Sequence, residues 1–224
     1  MTDDNDIPDP AEGAKEKLIR SKEKWAEEGR LLTGRPDAGR VNRLPPGQRL
    51  VTNWPVLDLG AQPDVKPEKW RLRIMGLVEN PVVYTLDEFM ALPQQEMASD
   101  IHCVTAWSRY DNRWKGVTSK ALLEIVKPKP EVKHVLFQSY DGYTTNVALE
   151  VFAADNVLLA HEWEGQPLAR EHGGPVRMVI PDWYFWKSPK WVTRIEFSAS
   201  DRPGFWEVRG YHNQGDPWTE ERYS

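Results

Sequence analysis

Apolar and polar positions alternate from Trp70 onward. Trp70, Leu72 and Ile74 fall on one face and Arg71 and Arg73 on the other, the period of a half-buried strand. Glu79-Asn80-Pro81 turns the chain into Val82-Val83-Tyr84. Thr85-Leu86-Asp87-Glu88 is a capping box and predicts a short helix to about Leu92. Residues 96–104 read as a strand that carries Cys103 near its end, and 118–126 as a helix stopped before Lys127-Pro128-Lys129-Pro130. Strands follow over 134–140 and 143–148, joined by Asp141-Gly142, a strong hairpin signal. Further strands are predicted over 157–163, 176–180 and 190–198.

Upstream the pattern is different. Asp9-Pro10-Ala11-Glu12 has the form of a capping box with proline at the first helical position. The helix it predicts, to about Glu28, has only Leu18, Ile19 and Trp25 as sizeable apolar residues, so it is expected on the surface of the body. Residues 29–68 are rich in Gly, Pro and Arg without a period and read as a long ordered segment wrapping the domain. Many strands with few short helices predict a mixed α+β, β-rich fold in a single domain. The expected division is an N-terminal helix and wrapping segment over 1–44, a main domain over 45–200, and a tail packed on it over 201–224.

Composition narrows the classes. The 224-residue chain is 40% hydrophobic, enough for a substantial core. Its mean hydropathy of -0.64 and lack of an apolar run near ~18 residues argue against a membrane span. The start Met-Thr-Asp-Asp-Asn-Asp is the opposite of a secretory signal, so a cytoplasmic setting with a reduced thiol is expected. A net charge of -5 argues against general nucleic-acid binding. Eleven tryptophans are enough both to fill a core and to line a pocket for a flat ligand.

The single cysteine, Cys103, decides the chemistry. Alone it makes no intrachain disulfide, no Cys-only zinc site and no iron–sulfur cluster. It can act as a nucleophile, pack as a small apolar residue, or give one thiolate to a metal held mainly by something else. The chain has no Gly-rich phosphate loop, no His-Glu-x-x-His and no Cys-x-x-Cys-His. A cysteine hydrolase would pair Cys103 with His102, His134, His161 or His172, but Cys103 ends an apolar strand and His102 points to the opposite face.

Several stretches carry a resemblance. Ile101-His-Cys-Val-Thr-Ala-Trp-Ser-Arg-Tyr-Asp-Asn-Arg-Trp-Lys-Gly-Val117, Asp141-Gly-Tyr-Thr-Thr145, His172-Gly-Gly-Pro-Val-Arg-Met-Val-Ile-Pro181 and Trp186-Lys-Ser-Pro-Lys-Trp-Val-Thr-Arg-Ile-Glu-Phe197 occur in this order. Val51-Thr-Asn-Trp-Pro-Val56 precedes them. Each is weak alone; together they resemble the sulfite-oxidase-like, molybdopterin-binding oxidoreductases over roughly 45–200. The tail from Pro203 to Trp218 looks like that of the short, free-standing cytoplasmic members, without the immunoglobulin-like dimerisation domain of the full-length sulfite oxidases or the export leader of the periplasmic methionine-sulfoxide reductases. Thr52 stands where sulfite oxidases carry an anion-holding arginine, and Arg109 is one residue off another, which counts against sulfite.

The resemblance implies a molybdenum cofactor, with Cys103 giving the one protein thiolate to a metal otherwise held by the pterin dithiolene and oxo groups. Asn53, Ser139, His172, Arg177, Ser188 and Lys190 align with cofactor-binding positions. Arginine suits the planar pterin and the phosphate, and Lys187, Ser188 and Lys190 form a second cationic group. Cys103 and Tyr143 are the candidate catalytic residues, Tyr143 either lining the substrate mouth or packing the hairpin, and Trp107, Tyr110 and Trp114 form either the rim or the core. The implied activity is two-electron oxygen-atom transfer on a small-molecule substrate, with electrons exchanged with a separate donor or acceptor. A non-catalytic pterin carrier is the alternative, a cysteine hydrolase a lesser one.

Overall fold

The computed structural model describes residues 10–28 and 43–224. A helix α1 (Pro10–Glu27) is followed by the two-residue strand β1 (Arg49–Leu50). Next come β2 (Arg71–Gly76), β3 (Val82–Thr85) and α2 (Leu86–Met90), then the long pair β4 (Gln95–Cys103) and β5 (Trp107–Thr118). Helix α3 (Ser119–Val126), strands β6 (His134–Ser139) and β7 (Thr144–Ala148) and the single turn α4 (Leu149–Phe152) lead into β8 (Leu158–Trp163), β9 (Gln166–Pro167), β10 (Arg177–Val179) and β11 (Val192–Ser198). This is the mixed α+β architecture that the periodicity predicts.

Local chemistry accounts for the boundaries. Thr85 and Glu88 form the predicted reciprocal cap: the Thr85 hydroxyl accepts from the Glu88 N–H at 3.3 Å, and the Glu88 carboxylate accepts from the Thr85 N–H at 2.8 Å. The Thr118 hydroxyl caps α3 by accepting from the Ala121 N–H at 3.2 Å. Between β6 and β7 Gly142 takes a φ of 82°, the conformation the Asp-Gly turn requires. The Asp9 cap and the segment 29–42 lie outside the described residues.

Two sheets share the core. One has the order β1-β5-β8-β10, with β4 added on β5 and β9 on β8; the other has the order β3-β2-β11-β6-β7. β11 runs parallel to β2 and antiparallel to β6. A cluster that includes Trp70, Leu72, Phe89, Val117, Phe137, Leu159, Met178 and Ile195 draws side chains from both sheets, each fully buried residue contributing roughly 1.5–3 kcal/mol. A second cluster gathers Ile19 and Ala26 of α1 with Trp54, Cys103, Trp107, Tyr184, Trp206 and Tyr211. The N-terminal helix is therefore docked against the surroundings of the cysteine.

The strand β5 is the largest element that the periodicity reading left out. Its burial alternates over Tyr110, Asn112, Trp114 and Gly116, with Arg109, Asp111, Arg113 and Lys115 on the opposite face. It pairs with β1, β4 and β8, so it fixes where β4 ends and where Cys103 points.

Candidate functional site

Cys103 is the last residue of β4, at the tip of the β4–β5 hairpin. The chain reverses through Ala106 in the left-handed conformation (φ 66°), whose N–H donates to the Cys103 carbonyl at 3.1 Å. The Gln48 side-chain amide donates to the same carbonyl at 3.1 Å, and Arg222 donates to the neighbouring Val104 carbonyl. The backbone is thus held by the N-terminal segment and the C-terminal tail, and Cys103 lines a cleft. The sulfur's side-chain neighbour is the Thr105 hydroxyl at 3.2 Å. His102, one residue back, points to the other face and lies 2.8 Å from the Ser108 hydroxyl. Among the described residues no Cys–His hydrogen bond forms, so the hydrolase arrangement is not built.

The cleft has a cavity volume of about 140 Å³ and opens to solvent. Its lining joins Cys103, Thr105 and Trp107 to His172, Arg177, Ser188 and Lys190 from the later half of the chain, with Tyr143, Trp54, Asp58 and Lys22. Arg177 is 2% exposed and ties three stretches together. Its guanidinium donates to the carbonyls of Met178 at 3.2 Å, His172 at 2.8 Å and Ser188 at 2.9 Å, and it lies 4.2 Å from the centre of the Phe185 ring. The Ser188 hydroxyl accepts from the Ile180 N–H at 2.9 Å. Lys190 donates to the Glu171 carbonyl at 2.9 Å. The His172 ring stacks on Trp54 with centroids 3.8 Å apart and planes 8° from parallel.

Gly173 makes this convergence possible. Its φ is 105°, and a Cβ there would sit 2.9 Å from the Lys190 Cβ and 3.1 Å from the Arg177 Cβ. Only glycine lets the His172 turn lie against both cations.

Charges of both signs line the cleft: Lys22, Arg177 and Lys190, with Asp58, Asp141 and Glu171. Burial lowers Lys190 from 10.5 to about 7, Arg177 adding to the effect against the opposing pull of Asp58. Burial lowers Arg177 to about 9 and Lys22 to about 8. His172 falls to about 3 through burial and then the charges of Arg177 and Lys190, so at neutral pH it is an uncharged donor and acceptor. Burial also raises Cys103, against the Thr105 hydrogen bond and the charges of Lys22 and Arg222. Buried cations need a counter-charge. Among the described residues no cluster of three His, Cys, Asp or Glu side chains forms a ready-made metal cage. To an anionic ligand the lining offers the cations Arg177, Lys190 and Lys22 and one thiol, Cys103.

Not every expected residue takes part. Asn53 and Ser139 do not line the cleft; Ser139 ends β6, buried, with no hydrogen-bond partner for its hydroxyl among the described residues. Lys187 turns away from Lys190 to a buried ion pair with Glu207 at 2.6 Å, because the carboxylate and the Asn146 carbonyl solvate it there. Trp107 lines the cleft, but Tyr110 lies under Arg43 and Trp114 donates to the Ser99 hydroxyl at 3.0 Å. Arg109 lies outside the lining, against Trp163 and paired with Glu164 at 3.4 Å. Lys22 and Asp58 line the cleft without having been singled out by the sequence; nothing in their spacing marks them, since they come from separate segments, whereas Asp141 opens the Asp141–Thr145 motif but was read there as a turn residue.

Comparison with known proteins decides the family. Residues 59–206 match the oxidoreductase molybdopterin binding domain. This chain belongs to that family. The molybdopterin-binding oxidoreductase described here is 44% identical over 183 residues to the uncharacterized oxidoreductase YuiH of Bacillus subtilis, covering 81% of this chain and 92% of that one. It is 27% identical over 167 residues to the protein-methionine-sulfoxide reductase catalytic subunit MsrP of Ralstonia nicotianae, covering 67% of this chain and 50% of MsrP. In fold it resembles the sulfane dehydrogenase SoxCD of Paracoccus pantotrophus, with a TM-score of 0.57 and 24% identity over 62% of this chain and 40% of that chain. The family establishes an oxidoreductase with a molybdopterin cofactor and a sulfite-oxidase-like fold. No helix among the described residues is long and apolar enough to cross a membrane.

Proposed function

We propose that this protein is a molybdenum-dependent oxygen-atom transferase in which Cys103 gives the protein's thiolate to the metal and a small substrate reacts in the same cleft. The observation that carries the reading is that one cleft is lined both by the chain's single thiol and by two cations, the buried Arg177 and the half-buried Lys190. The bound cofactor supplies the two-electron redox couple and the oxygen-accepting metal.

The chain's own residues bind and orient. The Cys103 thiol, its pKa raised by burial, would give up its proton to bind the metal as a thiolate, as metal-bound thiols do. Arg177 and Lys190 would hold the anionic pterin and its phosphate, and Arg177 fixes the His172 and Ser188 backbones that wall the site. Neutral His172, braced by Trp54, offers a ring nitrogen to a polar edge. Tyr143 donates to the Trp186 carbonyl at 2.7 Å, and burial raises its pKa well above the phenol range. It is thus a wall of the cleft, with its proton committed. The surroundings of a cytoplasmic, separately re-reduced or re-oxidised enzyme follow from the same reading: electrons pass to or from a partner molecule, because the lone cysteine excludes an iron–sulfur relay within the chain.

The test is metal analysis and turnover of protein made in a host competent for pterin synthesis. The reading expects about one molybdenum per chain, as a single thiolate site requires, and two-electron reaction with either a sulfoxide or an oxidisable oxyanion. Molybdenum without any such reaction would favour the carrier alternative.

A further inference from the structure

The buried face of α1 consists of Ile19, Lys22 and Ala26, at the i, i+3, i+7 spacing that docks a helix on a core. Its central position is a lysine, 8% exposed. A lysine there is costly: the face buries an ammonium where an apolar residue would dock the helix better. Among the described residues the Lys22 ammonium makes one hydrogen bond, to the Asp58 main-chain carbonyl, and no ion pair within salt-bridge distance. The ammonium has three protons to donate. Lys22 and Cys103 line the same cleft, each feeling the other's charge.

The placement of α1 is fixed by more than this contact. The Tyr223 hydroxyl donates to the Glu23 carbonyl at 2.6 Å, and Leu18 lies against Gly60. The helix is therefore a wall of the cleft built from a segment before the matched residues 59–206.

We propose that α1 completes the active site and that Lys22 is a specificity-determining residue, which selects a substrate bearing a negative oxyanion group beside Cys103. The proposal rests on the reading of the cleft as a molybdenum site. Arg177 uses its donors on three carbonyls; Lys190 and Lys22 each give one hydrogen bond to a carbonyl and keep two protons, and of the two Lys22 is the one whose charge acts on Cys103, so its donors serve a group that enters next to the sulfur. The Asp58 carboxylate is close enough for its charge to act on Lys22 but accepts none of its protons; an anionic substrate would take up the remaining donors and replace the lost hydration more fully than a neutral one.

The experiment uses the molybdenum-loaded parent, Lys22→Gln and Lys22→Arg, titrated with sulfite as the anionic probe and dimethyl sulfoxide as the neutral one. Binding is read from the visible charge-transfer band, and molybdenum per chain is measured in each protein. Lys22→Gln should keep the parent's molybdenum content and weaken sulfite about tenfold, or ~1.4 kcal/mol, while dimethyl sulfoxide affinity moves far less. Lys22→Arg should restore sulfite affinity to within about threefold, since it keeps the charge. Equal sulfite affinity in the parent and Lys22→Gln overturns the proposal, as does loss of molybdenum in Lys22→Gln, which would make Lys22 a cofactor ligand. A parent without molybdenum overturns the reading of the cleft itself, and the proposal with it.

Discussion

Replacing Lys190 by methionine should stabilise the cofactor-free protein and at the same time prevent cofactor binding. Burial, and then the Arg177 charge, bring the Lys190 ammonium down from 10.5 to about 7. At about 1.4 kcal/mol per pH unit, this is roughly 4–5 kcal/mol against folding with the charge in place. Solvent reaching one side of the half-buried side chain trims that to roughly 2–4 kcal/mol. The sign follows from proton binding. Between about pH 7 and 10.5 the unfolded chain holds the proton and the folded one does not, so stability rises with pH through that window. The penalty is complete below it and gone above it. Urea denaturation of cofactor-free parent and Lys190→Met at pH 7 and at about pH 9.5 should show the variant ahead at pH 7 and the gap closing by about 1–3 kcal/mol at the higher pH. In the loaded protein the anionic cofactor supplies the missing counter-charge, and the parent should lose this pH dependence. A gap that stays constant with pH, or a parent more stable than the variant at pH 7, would refute the reasoning.

Three other substitutions probe separate parts of the account. Gly173→Ala forces a Cβ into a left-handed position 2.9 Å from the Lys190 Cβ; thermal unfolding should show a loss of about 2–4 kcal/mol, with molybdenum per chain falling too. Glu207→Ala strands the buried Lys187 ammonium; the expected cost is about 3–5 kcal/mol by denaturant titration, with the molybdenum content of the folded fraction unchanged. Tyr143→Phe removes one hydrogen bond to the Trp186 carbonyl, about 1 kcal/mol of stability, and should leave the shape of the pH–rate profile as it was, because the phenol carries no proton in turnover.

Periodicity and capping located most of the sheet. The alternation at Trp70–Ile74, the Thr85–Glu88 cap and the Asp141-Gly142 turn are short-range signals, and β2, α2 and the β6–β7 hairpin form where these place them. The strand β5 also has a period of two, Tyr110-Asn112-Trp114 against Arg109-Asp111-Arg113, but an asparagine and a glycine occupy its buried face and blur the apolar count. In the site, Cys103, His172, Arg177, Ser188 and Lys190 were legible through motifs that lie within single segments. Lys22 and Asp58 were not, because their role arises only when α1 and the segment before β2 fold against the hairpin tip. Lys187 and Lys190 illustrate the limit: three residues apart, one pairs with Glu207 in the interior and the other faces the cleft, and only the tail residue Glu207 makes the difference.

The central claim is that one sulfur holds the metal. Molybdenum content and the visible spectrum of the purified parent, compared with Cys103→Ser made in the same pterin-competent host, test it most directly. The account predicts about one molybdenum per parent chain, as one thiolate per site implies, and a sulfur-to-metal charge-transfer band that the serine variant loses or shifts. A parent free of molybdenum, or a serine variant with the parent's metal content and an identical spectrum, would contradict it.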